Sequence, residues 1–149
     1  MRKPLILVSG CLVGLRCRYD GRGLSNTAVE EMVSRGGGII VCPEQLGGLP
    51  TPRTVSQIVG GDGFDVLLGK ARVVSEDGID VTEHFLRGAE ETLRLAQLVG
   101  VKKVIFQDKS PSCGVRKIYR GKRLVAGCGV TTALLSKEGY DVEPVEESE

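Results

Sequence analysis

The chain has 149 residues, with 20 Lys+Arg against 19 Asp+Glu for a net charge of +1, and only 4% of its residues are aromatic. That balance gives no electrostatic case for a general nucleic-acid binder or a membrane-surface protein, and the missing Trp leaves little for a base-stacking platform. The length suits one domain spanning residues 1–149. Met1-Arg2-Lys3-Pro4 is followed by an apolar run too short for a signal peptide or a membrane span, so a cytoplasmic chain with no membrane partner is expected. Five cysteines in such a chain point to metal binding or catalysis rather than to disulfides.

Leu5-Ile6-Leu7-Val8 is an unbroken apolar run, the pattern of a strand buried on both faces of a parallel sheet. Ser25-Asn26 caps a helix over Thr27 to Arg35, with Val29, Met32 and Val33 on one side and Gly36-Gly37-Gly38 as its stop. Ile39-Ile40-Val41 reads as a second buried strand ending at Cys42-Pro43. Gly and Pro make Gln45 to Arg53 a shaped loop, and Lys70 to Ser75, followed by Glu76-Asp77-Gly78, reads as part of a peripheral hairpin. Asp80-Val81-Thr82-Glu83 has capping-box spacing ahead of Phe85, Ala89, Leu93 and Ala96, which recur at helical intervals up to Gly100. Val101 to Phe106 predicts a third parallel strand leading into Ser110-Pro111-Ser112-Cys113-Gly114. A second hairpin pairs Ile118-Tyr119 with Leu124-Val125 and precedes a helix from Val130 to Lys137. Tyr140 to Glu143 is a last short strand, which Pro144 should end, and Glu146 to Glu149 is an acidic tail.

This alternation calls for an α/β fold with a mainly parallel sheet flanked by helices, Rossmann-like, with peripheral β-hairpins. Ligands of such sheets bind beyond the carboxyl ends of the strands. Cys11, Cys42 and Cys113 each follow a predicted strand within one short loop, so three thiols aim at one edge. Thiolates there suit a soft metal or an iron–sulfur cluster, and three ligands rather than four would leave one iron open. Glu44, two residues past Cys42, could move protons at a bound substrate. Ser110 and Ser112 could hydrogen-bond a ligand or the turn itself. Arg18, Tyr19, Asp20 and Arg53 could orient a substrate or pair with one another. Cys17 could be a fourth ligand, a redox partner of Cys11 or a packed thiol. Cys128, at a helix start that lowers thiol pKa, could lie near the site or simply pack. His84, the only His, reads as a surface residue.

Four ordered motifs, Cys11 to Gly21, Cys42-Pro-Glu-Gln-Leu-Gly-Gly-Leu-Pro-Thr-Pro-Arg53, Asp80 to Ala89 and Ser110-Pro-Ser-Cys-Gly114, together resemble the thiouracil desulfidase family, also catalogued as domain of unknown function 523. The resemblance runs from about Val8 to Leu135. It implies a [4Fe-4S] cluster on Cys11, Cys42 and Cys113 whose open iron takes the sulfur of a thiolated pyrimidine, so that water converts thiouracil to uracil and sulfide without net redox change. It further implies that Glu44 shuttles protons and that Ser110 or Ser112 contacts the substrate or the activated water. The chain departs from the family pattern at Gly10, where Ala is usual, and at Gln107-Asp108-Lys109, where a Ser and a basic residue are common.

The first reading is therefore a desulfidase acting on a small thiolated base. A non-catalytic metal- or sulfur-binding module, and desulfuration of thiolated tRNA, stand as alternatives.

Overall fold

The structure is a computed structural model that describes residues 5–145; the acidic tail read at Glu146 to Glu149 lies outside the described residues. Four parallel strands, β1 (Ile6–Ser9), β2 (Gly38–Val41), β5 (Lys103–Gln107) and β8 (Asp141–Val145), form one sheet in the order β2-β1-β5-β8. Alternate side chains of the central strand β1 enter two cores. Leu7 packs with Val104 and Phe106, and with Ala96 of α4 (Thr82–Val99) and Leu135 of α5 (Val130–Lys137), whereas Val8 packs with Leu12 and with Val29 of α1 (Thr27–Ser34). Helices thus cover both faces, which is why the strand reads as apolar without alternation.

Two antiparallel hairpins stand outside this sheet: β3 (Ser56–Val59) with β4 (Arg72–Ser75), and β6 (Lys117–Arg120) with β7 (Arg123–Ala126). A third core joins Ile58, Val73 and Ile118 of the hairpins to Val66 of α3 (Gly63–Leu67), Phe85 and Ala89 of α4 and Val130 of α5. The 18 residues of α4 therefore bind the hairpins at one end and the sheet at the other. Gln57 also joins the hairpins directly, because its side-chain amide donates to Gly121 O and accepts from Gly121 N, each at 2.8 Å.

Three sequence expectations change. Pro144 does not end the last strand but lies within β8, opposite Phe106; β8 is an edge strand, where a missing N–H is tolerated. The capping box expected at Asp80 and Glu83 is absent: Val81 is the N-cap, Asp80 Oδ1 accepts from Thr82 N at 2.9 Å, and the Thr82 hydroxyl accepts from Val73 N at 2.9 Å. The helix start is thereby tied to β4. The loop expected from Gln45 begins as the last two residues of a short helix, α2 (Pro43–Leu46), with Cys42 as N-cap and Pro43 in the first turn.

Two glycines let α2 lie directly on α4. A Cβ on Gly88 would come within 2.0 Å of Pro43 O, and one on Gly47 within 2.0 Å of His84 O. Both obstacles are backbone, so a methyl group cannot be absorbed by a rotamer change. Gly88→Ala should cost about 3 kcal/mol, read as a lowered urea midpoint, and should displace the helix that carries Glu44.

Candidate functional site

The strand order reverses between β1 and β5: from β1 the chain moves outward to β2, then returns to the other side of β1. The crevice beyond the carboxyl ends of strands at such a switch point is the standard binding position of open α/β sheets. Ser9 keeps it in shape, since its buried hydroxyl accepts from Gln107 N at 2.8 Å where the β1–β5 ladder ends. A cavity of about 900 Å³ opens here, its floor made by the ends of β1, β2 and β5 and its walls by residues of both hairpins. Cys11, Cys17, Cys42, Cys113, Glu44, Ser110 and Ser112 all line it, with Arg18, Tyr19 and Arg53.

Each cysteine arrives on a differently shaped segment. Cys11 sits in a 3-10 turn directly after β1, and its carbonyl accepts from Leu24 N at 2.7 Å. Cys42 is the N-cap of α2, its thiol 3.7 Å from Cys17 O. Cys113 is held by Ser110, whose hydroxyl accepts from Cys113 N at 2.7 Å and from Ser112 N at 3.1 Å. The amides that open α5 hold the same loop: Val130 N donates to Pro111 O, Thr131 and Thr132 N to Ser112 O, and the Thr132 hydroxyl to Cys113 O.

All five cysteines are free thiols. Burial pushes the Cys113 thiol well above its ordinary value, and the neighbouring Cys42 and Glu44 add to the rise against hydrogen bonds from Ser112 and Ser110. Cys17 is pushed up to about 11, first by its hydrogen bond with Cys11, while Cys42 and Arg53 offset part of the rise. Cys42 is raised by its hydrogen bond with Cys17 and then by burial. Thiols in this state are poor nucleophiles. They become thiolates when a thiophilic cation enters among them.

Glu44 sits inside a hydrogen-bonded chain of residues that line the cavity. Arg53 Nε donates to Glu44 Oε1 and the Ser112 hydroxyl donates to Oε2, both at 2.9 Å. Ser110 Oγ lies 3.1 Å from Ser112 Oγ, which in turn is 3.7 Å from Cys113 Sγ. The remaining donors of Arg53 go to Pro50 O and Thr51 Oγ1 from Nη1 and to Cys17 O from Nη2. Four of its five N–H donors are thus engaged within the protein, and its guanidinium holds Glu44 in place.

The other residues singled out in the sequence are placed as follows. The Arg18 guanidinium carbon lies 6.0 Å from the centre of the half-exposed Tyr19 ring, where both residues line the cavity. Asp20 does not line it and instead accepts from Arg22 N at 3.0 Å, shaping the turn. His84 is exposed but bonds Gly47 O through Nδ1 at 2.8 Å. Cys128 lies outside the cavity lining, beside Asp62 Oδ2 at 3.9 Å. Its pKa is not lowered by the start of α5 but pushed up to about 12, by burial first and then by the Asp62 charge. Above its ordinary value of 9.0 the unfolded chain loses this proton while the folded chain keeps it, so stability falls as pH climbs from there toward about 12. Cys128→Ala should flatten that fall, checked by denaturant midpoints on either side of pH about 9.

Sequence reasoning missed Ser9, whose one signal was a hydroxyl ending an apolar run, and Gln57, which carried none.

These features define an α/β protein with a thiol-lined, carboxylate-served pocket at its topological switch point. The chain belongs to the 2-thiouracil desulfurase family, whose model matches residues 6–148, a family of enzymes that remove sulfur from carbon. It is 43% identical over 141 residues to the uncharacterized protein YbbK of Bacillus subtilis (strain 168), covering 93% of each chain. It is also similar to the solved structure of the [4Fe-4S]-dependent thiouracil desulfidase TudS, with a TM-score of 0.84, 38% identity, and coverage of 95% of this chain and 91% of the other. Among the described residues no helix is long and apolar enough to cross a membrane.

Proposed function

We propose that the chain hydrolyses the carbon–sulfur bond of a small thiolated pyrimidine such as thiouracil, giving uracil and sulfide, with a [4Fe-4S] cluster held by Cys11, Cys42 and Cys113. The observation that carries this reading is the Glu44 carboxylate, fixed between Arg53 and Ser112, in a cavity that the free thiols Cys11, Cys17, Cys42 and Cys113 also line. The donor set fits the cluster: three soft thiol ligands come from loops after three separate strands of the sheet. Among the described residues no group of three or more Cys, His, Asp or Glu is placed to hold a single metal ion.

When bound, the cluster supplies a Lewis-acidic position with affinity for sulfur. The chain's own residues do the rest. Glu44 takes a proton from water and returns it to the leaving sulfide, so atoms balance as thiocarbonyl plus water to carbonyl plus hydrogen sulfide and no electrons are transferred. Arg53 stops the carboxylate from rotating away, and Ser112 presents its hydroxyl between Glu44 and the cluster side of the pocket. Arg18 and Tyr19 border the space left for the base. The reaction belongs in the cytosol, where free thiols persist.

The chain should be loaded anaerobically with iron and sulfide, then given 2- and 4-thiouracil without reductant. Uracil and sulfide should appear in equal amounts; a fully loaded protein that releases neither overturns the proposal.

A further inference from the structure

Asp108 stands just past the end of β5, and its side chain is spent on the backbone. One oxygen, Oδ1, accepts from Lys109 N and Val115 N at 2.8 Å, from Arg116 N at 3.1 Å and from Lys117 N at 3.3 Å. These amides bracket the segment that carries Ser110, Ser112 and Cys113, so one carboxylate closes both ends of that loop. Turning the first amide inward puts Lys109 at φ 80°, a left-handed conformation that a non-glycine residue adopts only when its surroundings hold it there.

We infer that Asp108 is a positioning residue, an anionic clasp that holds the Cys113 loop in the shape needed to ligate the cluster. Cys113 comes after β5 on a loop with no helix or strand between Gln107 and Lys117. Ser110 orients the Cys113 amide from within the loop and the start of α5 supports its carbonyl side. Asp108 ties the entry to the exit through a side chain, beside the backbone bridge between Lys109 and Ile118. Burial alone would raise the Asp108 pKa, yet the four amides more than offset it and hold the carboxyl below its ordinary value, so the clasp stays charged. Hydrogen bonds from amides to a carboxylate are about twice as strong as neutral ones. Residues that orient a ligand in this way are commonly worth about 10- to 100-fold in metal retention.

This inference rests on the cluster assignment, and the experiment separates the two. Wild type, Asp108→Ala, Asp108→Asn and Asp65→Ala are loaded anaerobically with iron and sulfide and challenged with an iron chelator, following bound iron and visible absorption. Asp65→Ala is the control, because it removes the acceptor for Asp62 N in the capping box of α3 and leaves the hydrogen bonds of the Cys113 loop in place. Asp108→Ala should lose its absorption at least about tenfold faster than wild type. Asp108→Asn keeps an acceptor oxygen among the same amides and should recover much of the retention, and Asp65→Ala should match wild type.

Equal loss from wild type and Asp108→Ala overturns the role of Asp108 while leaving the cluster assignment standing. So does equally fast loss from Asp65→Ala, which would mark general loosening, or an Asp108→Asn chain that retains no better than Asp108→Ala. An Asp108→Asn chain that fails to fold overturns it as well, since the carboxylate would then carry the fold. Wild type that takes up no iron overturns the cluster assignment and this inference with it.

Discussion

Cys11→Ala, Cys42→Ala and Cys113→Ala should each give a folded chain that takes up little or no iron and releases no sulfide from thiouracil. Each change removes one small side chain from a wall of the cavity, so the packing loss is modest beside the chemical one. On the proposed ligand set, each variant would remove one of the three protein donors to the cluster. Changes to supporting residues alone lower metal affinity by about 10- to 100-fold, and loss of a ligand should exceed that. Cys128→Ala is the internal control: the same chemical change at a thiol outside the cavity should leave iron content and turnover intact. Bound iron, visible absorption and circular dichroism of the four variants decide it. A Cys113→Ala chain with full iron content would remove that residue from the ligand set.

Glu44→Gln should separate chemistry from assembly. Gln keeps the shape: its oxygen can still accept from Arg53, and its NH2 can donate to the Ser112 hydroxyl with that bond reversed, so the cluster should load to the wild-type level. It cannot take the proton, and general acid–base groups contribute about 10²- to 10⁴-fold. The expected result is a fall of that size in kcat with KM nearly unchanged, measured by sulfide release from fully loaded protein. Arg53→Lys should lose less, because an ammonium keeps the charge but cannot reproduce the bonds that a planar guanidinium makes to Glu44, Pro50, Thr51 and Cys17.

The floor of the site was legible in the sequence for a physical reason. A strand buried on both faces must be apolar, so Leu5 to Val8 stands out, and the short apolar runs Ile39 to Val41 and Val104 to Phe106 mark its neighbours, although Ile40 on the edge strand β2 is exposed rather than buried. Cys42 follows its run directly, and Cys11 and Cys113 follow theirs within one loop. The long helix α4 was legible because it spans enough turns for its period to show. The walls were not. β3 and α3 have four and five residues, too few for any period, and the one clue to α3 was the spacing of Asp62 and Asp65. Arg53 illustrates a different limit: a lone arginine in a Gly- and Pro-rich loop suggests substrate binding, but its donors go to residues from Cys17 to Thr51, a pairing set by tertiary structure alone. For the same reason Asp108 looked like a substituted functional position, whereas its oxygen is occupied by amides up to nine residues away.

The pocket is made of two parts of different origin. Its floor belongs to the parallel sheet, where a change in one strand disturbs two cores at once. Its walls belong to two hairpins fastened to each other by Gln57 and to the rest by α4. Evolution can therefore alter the hairpins, and with them the size and shape of the molecules admitted, while the reactive apparatus beneath is inherited unchanged.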